Sequence, residues 1–139
     1  MKRFFLFLFV TTAALASKKD DPETPLSKIA GTWELVAREE LADGEYIWKD
    51  VQPASYDILV FRSDGLITDT NGLPRCCGPN SLSIDGNLVK IIPKGKVPYN
   101  AMCELVNCAA CETLSIETNG NELIISACGM PRTKHVKKS

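Results

Sequence analysis

Six cysteines hold the most reactive side chains of this 139-residue chain. Three lie within 103-CELVNCAACE-112, where Cys108 and Cys111 have Cys-x-x-Cys spacing; Cys103 precedes them, Cys76 and Cys77 are adjacent, and Cys128 stands alone. Thiols so placed can clasp zinc, exchange disulfides or pair as staples. A redox Cys-x-x-Cys wants a helix N-terminus in a βαβ setting, and none is readable here. The N-terminus instead reads as an export signal, with Lys2-Arg3, an apolar run from Phe4 to Val10 and small residues at Ala14-Leu15-Ala16. An exported chain with an even cysteine count pairs its thiols, so staples are expected, with no metal.

Other chemistry finds little support. His135 is the only histidine, which excludes a three-histidine metal site and leaves any Ser-His-Asp or Cys-His arrangement to a residue in the basic tail 134-KHVKK-138. Glu39, Glu45, Asp50, Asp57 and Asp69 could converge for hydrolysis only at a barrel mouth; their spacing shows no such pairing, and they read as solvated strand faces. No glycine-rich phosphate loop or dinucleotide fingerprint is present. No catalytic residue and no cofactor are expected.

The domain plan is short. Residues 1–16 read as the signal, 17–27 as a charged, proline-bearing tether and 28–139 as a single domain. The apolar run of the signal falls short of the roughly 20 residues that span a bilayer. Leu15-Ala16-Ser17 has the form of an envelope lipoprotein signal without its lipid-bearing cysteine, so a soluble periplasmic, cell-surface or secreted protein is expected. The mature chain would carry 14 basic against 17 acidic residues, which speaks against nucleic acid as a partner.

The elements that must position these residues are strands. Apolar–polar alternation runs through Trp33–Leu41, Tyr46–Trp48, Tyr56–Arg62, Leu66–Thr70, Ser81–Ile84, Asn87–Ile92, Glu112–Thr118, Glu122–Cys128 and Thr133–Val136, with a short helical turn at Leu26–Ala30. Tight-turn signals at Ala42-Asp43-Gly44, Ser63-Asp64-Gly65, Asp85-Gly86 and Asn119-Gly120 alternate with looser connections at 52–55, 71–80, 93–110 and 129–131. Sequential hairpins with no crossover helix favour an all-β, up-and-down antiparallel β-barrel of eight or nine strands over a two-sheet sandwich. In such a meander the four tight turns would share one end and all six cysteines the other. If Asn119-Gly120 is a two-residue turn, Thr118 faces Asn121, and the same register brings Cys111 opposite Cys128, close enough for a disulfide. Cys76 and Cys77 would then join Cys103 and Cys108, with the partners among these four left open.

Aromatic residues crowd the first three strands. Glu39 alternates onto the face of Trp33 and Leu35, so it is expected as an inward carboxylate that would orient a ligand, with Tyr46 and Trp48 as cavity-lining candidates. Gly31-Thr32-Trp33-Glu34-Leu35, with Cys76-Cys77-Gly78-Pro79, Asp85-Gly86-Asn87-Leu88 and the late strand at Lys134–Val136, resembles the small exported bacterial lipocalin-like (calycin) proteins. That resemblance implies an eight-stranded barrel that binds a small hydrophobic or amphipathic molecule non-covalently. Gly31 and Trp33 would form its closed base, beside a basic side chain for which Arg132 and Lys134 are candidates. It would also make the cysteine-bearing end the base and the tight-turn end the mouth. The alternative is a filled barrel acting as an envelope interaction or structural module without ligand.

Overall fold

The computed structural model describes residues 23–52, 54, 57–109 and 111–139; the segment expected as a signal, the expected tether through residue 22 and Tyr56, where the third strand was expected to begin, lie outside the described residues. A one-turn helix α1 (Pro25–Ile29) is started by Thr24, whose Oγ1 accepts the Ser27 N–H, with Pro25 in the first turn where its missing N–H costs nothing. Nine strands follow: β1 (Gly31–Ala42), β2 (Glu45–Asp50), β3 (Ile58–Phe61), β4 (Ile67–Thr68), β5 (Ser81–Ile84), β6 (Asn87–Lys90), β7 (Thr113–Asn119), β8 (Glu122–Ser126) and β9 (Thr133–Lys137). They form one sheet in the order β4-β3-β1-β9-β8-β7-β5-β6, with β2 added on β1, curled into a half-barrel. The all-β, eight-or-nine-stranded barrel architecture expected from the turn spacing is the one adopted.

Three details depart from a plain meander. β2 pairs with Ala37–Ala42 and β3 with Gly31–Glu34, both antiparallel to β1 along one edge, so these two strands run in the same direction. The expected reversal at 52–55 is therefore missing, and the turn parity slips there. The Ala42–Gly44 hairpin falls at one end, and the other three tight turns lie at the opposite end, where β1 begins. Second, β5 and β7 are parallel, because the long connection 93–110 passes β5 and leaves β6 on the edge. Third, Asn119 faces Glu122, which makes Gly120-Asn121 the turn. Gly120, with φ +58, takes the first central position, as a II′ turn requires. The register moves by two residues, so every side chain keeps its face.

The end where β1 begins is the base. Lys138 N–H donates to Thr32 O, Lys137 N–H to Asn121 O, and the Asp85 carboxylate accepts both the N–H and the hydroxyl of Thr118 at 2.8 and 2.7 Å. Lys28 on α1 pairs with the same carboxylate at 3.7 Å, so the helix is tied to this end. Above it packs the core of Ile29, Trp33, Phe61, Leu82, Ile84, Ile116 and Leu123, with Ile67 and Ile125 at its margin. Burying each such side chain contributes roughly 1.5–3 kcal/mol. The expected placing of the cysteines where the first strand starts is thus corrected: Cys111 and Cys128 flank the opposite end of β7 and β8.

The edge strands β4 and β6 do not pair with each other. Side chains bridge the opening instead. Asp64, in the β3–β4 turn, accepts the N–H of Lys94 (2.8 Å) and of Leu66 (3.2 Å), while Arg62 bonds both the Asp64 carboxylate and Lys94 O. Gly65, at φ +86, lies under Leu26 and Ile91, where a Cβ would come within 3.2 Å of Leu26 Cδ2.

Candidate functional site

All six cysteines are paired, as Cys76–Cys103, Cys77–Cys108 and Cys111–Cys128. The Cys108-x-x-Cys111 spacing carries no bond of its own, since its two sulfurs have different partners. The first two bridges tie the 71–80 loop to the connection after β6, and so strap the open side of the half-barrel. Cys111 and Cys128 sit 5.4 Å apart (Cα–Cα) just beyond the paired residues of β7 and β8. The expected bridge forms, although the register that suggested it is two residues out; the ladder ends early enough for the flanking segments to converge.

The expected ligand residues also come together, on the other side of the sheet. Between Leu35 and Ala37 the register with β9 slips by one residue, a β-bulge at Val36. Directly opposed residues share a face. Leu35 opposes His135, but Ala37 opposes Lys134, so beyond the bulge it is Arg38 that returns to the core side. Glu39 and its partner Trp48 therefore lie on the outer face, and the inward carboxylate expected there is not found. Glu39 is nonetheless only 7% exposed, because Arg132 covers it in an ion pair. The guanidinium hydrogen bond holds the Glu39 carboxyl below its usual range. Arg132 and Lys134 in turn stand over the Trp48 ring at 5.6 and 5.1 Å. Tyr46, two residues along, borders with Glu39 and Arg132 a shallow depression of about 450 Å³.

Trp33 sits near the start of β1, fully buried with its Nε1–H on Ile29 O at 2.7 Å. Its basic neighbour is Lys137, Nζ 5.4 Å from the ring centre, and neither Arg132 nor Lys134, which the bulge and strand twist carry to Trp48. Gly31, at φ +126, lets the chain turn from α1 into β1 beneath the Lys137 side chain.

A second arrangement was not legible in the sequence. On the core side above the packed base lies a cleft of about 190 Å³. Leu35 and Leu59 give it an apolar lining; Thr133, His135, Arg38, Asp57 and Arg75 give it a polar one. His135 is 5% exposed, inside β9 rather than in a solvated tail. Its Nε2 contacts Thr133 Oγ1 at 3.1 Å, while its Nδ1 is buried with no hydrogen-bond partner among the described residues. Burial drives the imidazole down to about pH 4 for half-protonation; nearby Asp57 opposes that fall, and Arg38 and Arg75 add to it. At neutral pH the ring is uncharged. Arg38 pairs with Asp57 at 3.2 Å, and Asp57 also accepts the Ala54 N–H. The sequence signal was the alternation of Thr133 with His135 along the last strand, which places both on the face of Leu35.

Such a cleft offers an apolar floor, an unsatisfied nitrogen and two guanidiniums against one carboxylate. It can bind and orient a small polar-headed molecule. Among the described residues, no group of three or more His, Cys, Asp or Glu is placed to hold a metal ion. No family model, curated protein or solved structure matches the chain.

Proposed function

We propose that this is an exported lipocalin-like protein that binds a small amphipathic molecule non-covalently in the cleft around His135, without catalysis. The single observation that carries the reading is the His135 Nδ1, a buried polar atom without a hydrogen-bond partner among the described residues. Such a group costs roughly 1–3 kcal/mol when unpaired, and a bound molecule would relieve that cost. Three disulfides in so small a domain support an oxidising compartment. The Lys2-Arg3 start, the apolar run and Ala14-Leu15-Ala16 support export, to the periplasm or the cell surface.

A second reading has its own support. Leu41, Tyr46, Trp48 and Met130 are exposed on the outer face of the β1–β2 ribbon and the adjoining loop, a patch of the kind that marks an interaction surface. An envelope interaction module with a filled interior would use it. Native mass spectrometry of gently purified, exported protein separates the two: a small molecule that co-purifies and leaves on denaturation supports the carrier. A bare protein captured with a macromolecular partner supports the module.

A further inference from the structure

The β1–β2 ribbon leaves one strand edge open. Among the described residues β2 pairs with β1 alone, and all six of its residues, Glu45–Asp50, are exposed. β1 is laddered to β9 only as far as Arg38, with the Glu39 N–H on Arg132 O just beyond. The rest of the ribbon, from Glu40 round to Ile47, projects as two strands without a third. Two strands are marginal by themselves in water, and an unpaired edge is a template for another strand. Its hydrogen-bonding groups are already aimed. Ala42 and Glu45 flank the Asp43-Gly44 turn, whose φ values of 51 and 85 are those of a two-residue hairpin, so they exchange the first pair of bonds. Alternation then turns the N–H and C=O of Glu45, Ile47 and Lys49 toward β1, and those of Tyr46, Trp48 and Asp50 outward. Two contacts fix this phase: Glu39, opposite Trp48, sends its N–H to Arg132, and Val51 N–H reaches Val36 O.

The sequence of that edge is complementary to itself. Antiparallel strands related by a two-fold axis oppose residues of the same face, so the axis must pass through a residue of β2 and the allowed registers differ by two. With the axis at Ile47, Glu45 of one copy opposes Lys49 of the other, Tyr46 opposes Trp48, and Ile47 opposes itself. Both charge pairs are then of opposite sign, and both aromatic pairs lie on the outer face. Tyr46 and Trp48, whose backbone groups point outward, become the hydrogen-bonded pairs. Moving the axis to Trp48 sets Ile47 against Lys49 and Tyr46 against Asp50; moving it to Tyr46 sets Glu45 against Ile47 and Gly44 against Trp48. Lys49 already pairs with Glu40 at 3.0 Å, but both side chains are exposed, and such a pair contributes little and leaves the ammonium free to be shared. Antiparallel pairing also sends the two half-barrels to opposite ends of the joined ribbon.

We propose that the free edge of β2 docks a second copy of this chain, antiparallel about Ile47, into a sheet continuous from β9 of one copy to β9 of the other. This does not depend on what the His135 cleft holds. It gives the exposed Tyr46, Ile47 and Trp48 a partner surface of matching chemistry. Five opposed residues a side are far fewer than the roughly 20–30 of a standard interface, so the dimer is concentration-dependent rather than permanent.

Sedimentation velocity of the disulfide-intact protein over a concentration series tests it, and a reversible dimer is expected. Glu45→Lys sets like charges opposite each other at two symmetric places and should weaken the dimer about tenfold or more; adding Lys49→Glu should restore it. Both residues are exposed, so neither change threatens the fold. Ile47→Cys would put two thiols in a non-hydrogen-bonded pair with Cα atoms about 4.5 Å apart, within disulfide reach. Mild oxidation should therefore give a covalent dimer, joined at residue 47 by peptide mapping, and Trp48→Cys should not. A protein that stays monomeric up to about 1 mM overturns the inference. So does a dimer indifferent to Glu45→Lys, or one that cross-links through Trp48→Cys instead. Tyr46 and Trp48 amides protected from hydrogen exchange in a monomer would overturn it in favour of a different strand on this edge. None of these outcomes bears on the ligand reading, which co-purification decides.

Discussion

Glu39 and Arg132 form an ion pair across 93 positions of sequence, on the outer face of the sheet and against the ring of Trp48. Arg132→Ala would leave a mostly buried carboxylate without a partner and uncover the indole. The variant is expected to melt lower than wild type, by more than Glu40→Gln, whose carboxylate is in an exposed pair with Lys49. Acrylamide quenching of tryptophan reads the second effect selectively, since Trp33 is fully buried and Trp48 is 37% exposed. Quenching should rise in Arg132→Ala; no change would show that the pair does not cover Trp48. The lowered Glu39 value also fixes a sign. Its stabilising share is present at neutral pH and is lost as pH falls below about 4.5, toward the folded-state value.

His135 predicts a separate pH window. Burial holds the folded imidazole near 4, against 6.5 when it is exposed. The unfolded chain therefore binds a proton that the native state refuses between those values, and stability should fall as pH drops from about 6.5 to about 4. The full effect is on the order of 3 kcal/mol. Asp57, which favours protonation, and Arg38 and Arg75, which oppose it, are the charges that set its size. Urea unfolding in that range should show the slope in wild type and its loss in His135→Phe.

Asp64 closes the gap that the backbone leaves open between β4 and β6. Burial pushes its carboxyl up, but the N–H groups of Lys94 and Leu66 and the Arg62 guanidinium outweigh that and hold it below the usual range. Asp64→Ala strands these donors, and a loss of roughly 2–4 kcal/mol is expected by urea denaturation. Hydrogen exchange should rise first at the Lys94 and Leu66 amides. A loss under about 0.5 kcal/mol, the usual range for a surface change, would mean the half-barrel does not depend on this stitch.

The disulfides make a prediction in mass and in stability. Intact protein should weigh six hydrogens less than the reduced chain and offer no thiol to iodoacetamide. Removing Cys111–Cys128, which spans 17 residues, with a double alanine variant should cost roughly 3 kcal/mol. Free thiols in the purified protein would contradict the pairing.

Much of this fold could be read from its turns. Asp43-Gly44 and Asp85-Gly86 both adopt the positive φ values that Asp-Gly hairpins need, and the nine expected strands are the nine observed. The Asn119 turn lies one residue later than expected and its register two residues out, without harm, because the alternation that buries Ile116, Leu123 and Ile125 has a period of two. What stayed hidden was non-local. Nothing in Leu35-Val36-Ala37 announces a bulge, and burial keeps alternating through Glu39 because Arg132 covers the outer face. That one inserted residue exchanged Glu39 for Arg38 on the core side and sent Trp48 outward. Likewise a connection as long as 93–110 permits β7 to pair with either strand of the preceding hairpin, so its parallel partner β5 was beyond reach of local pattern.

The most direct test of the central claim uses the chain's only histidine. Nitrogen-15 NMR of the His135 imidazole would be recorded on protein purified without denaturation, then on the same sample unfolded with its disulfides intact, dialysed and refolded. A bound molecule that pairs with Nδ1 predicts that this resonance moves on stripping by more than that of Nε2, which already contacts Thr133 Oγ1. Identical Nδ1 signals before and after, on protein that releases no small molecule, would contradict an occupied cleft.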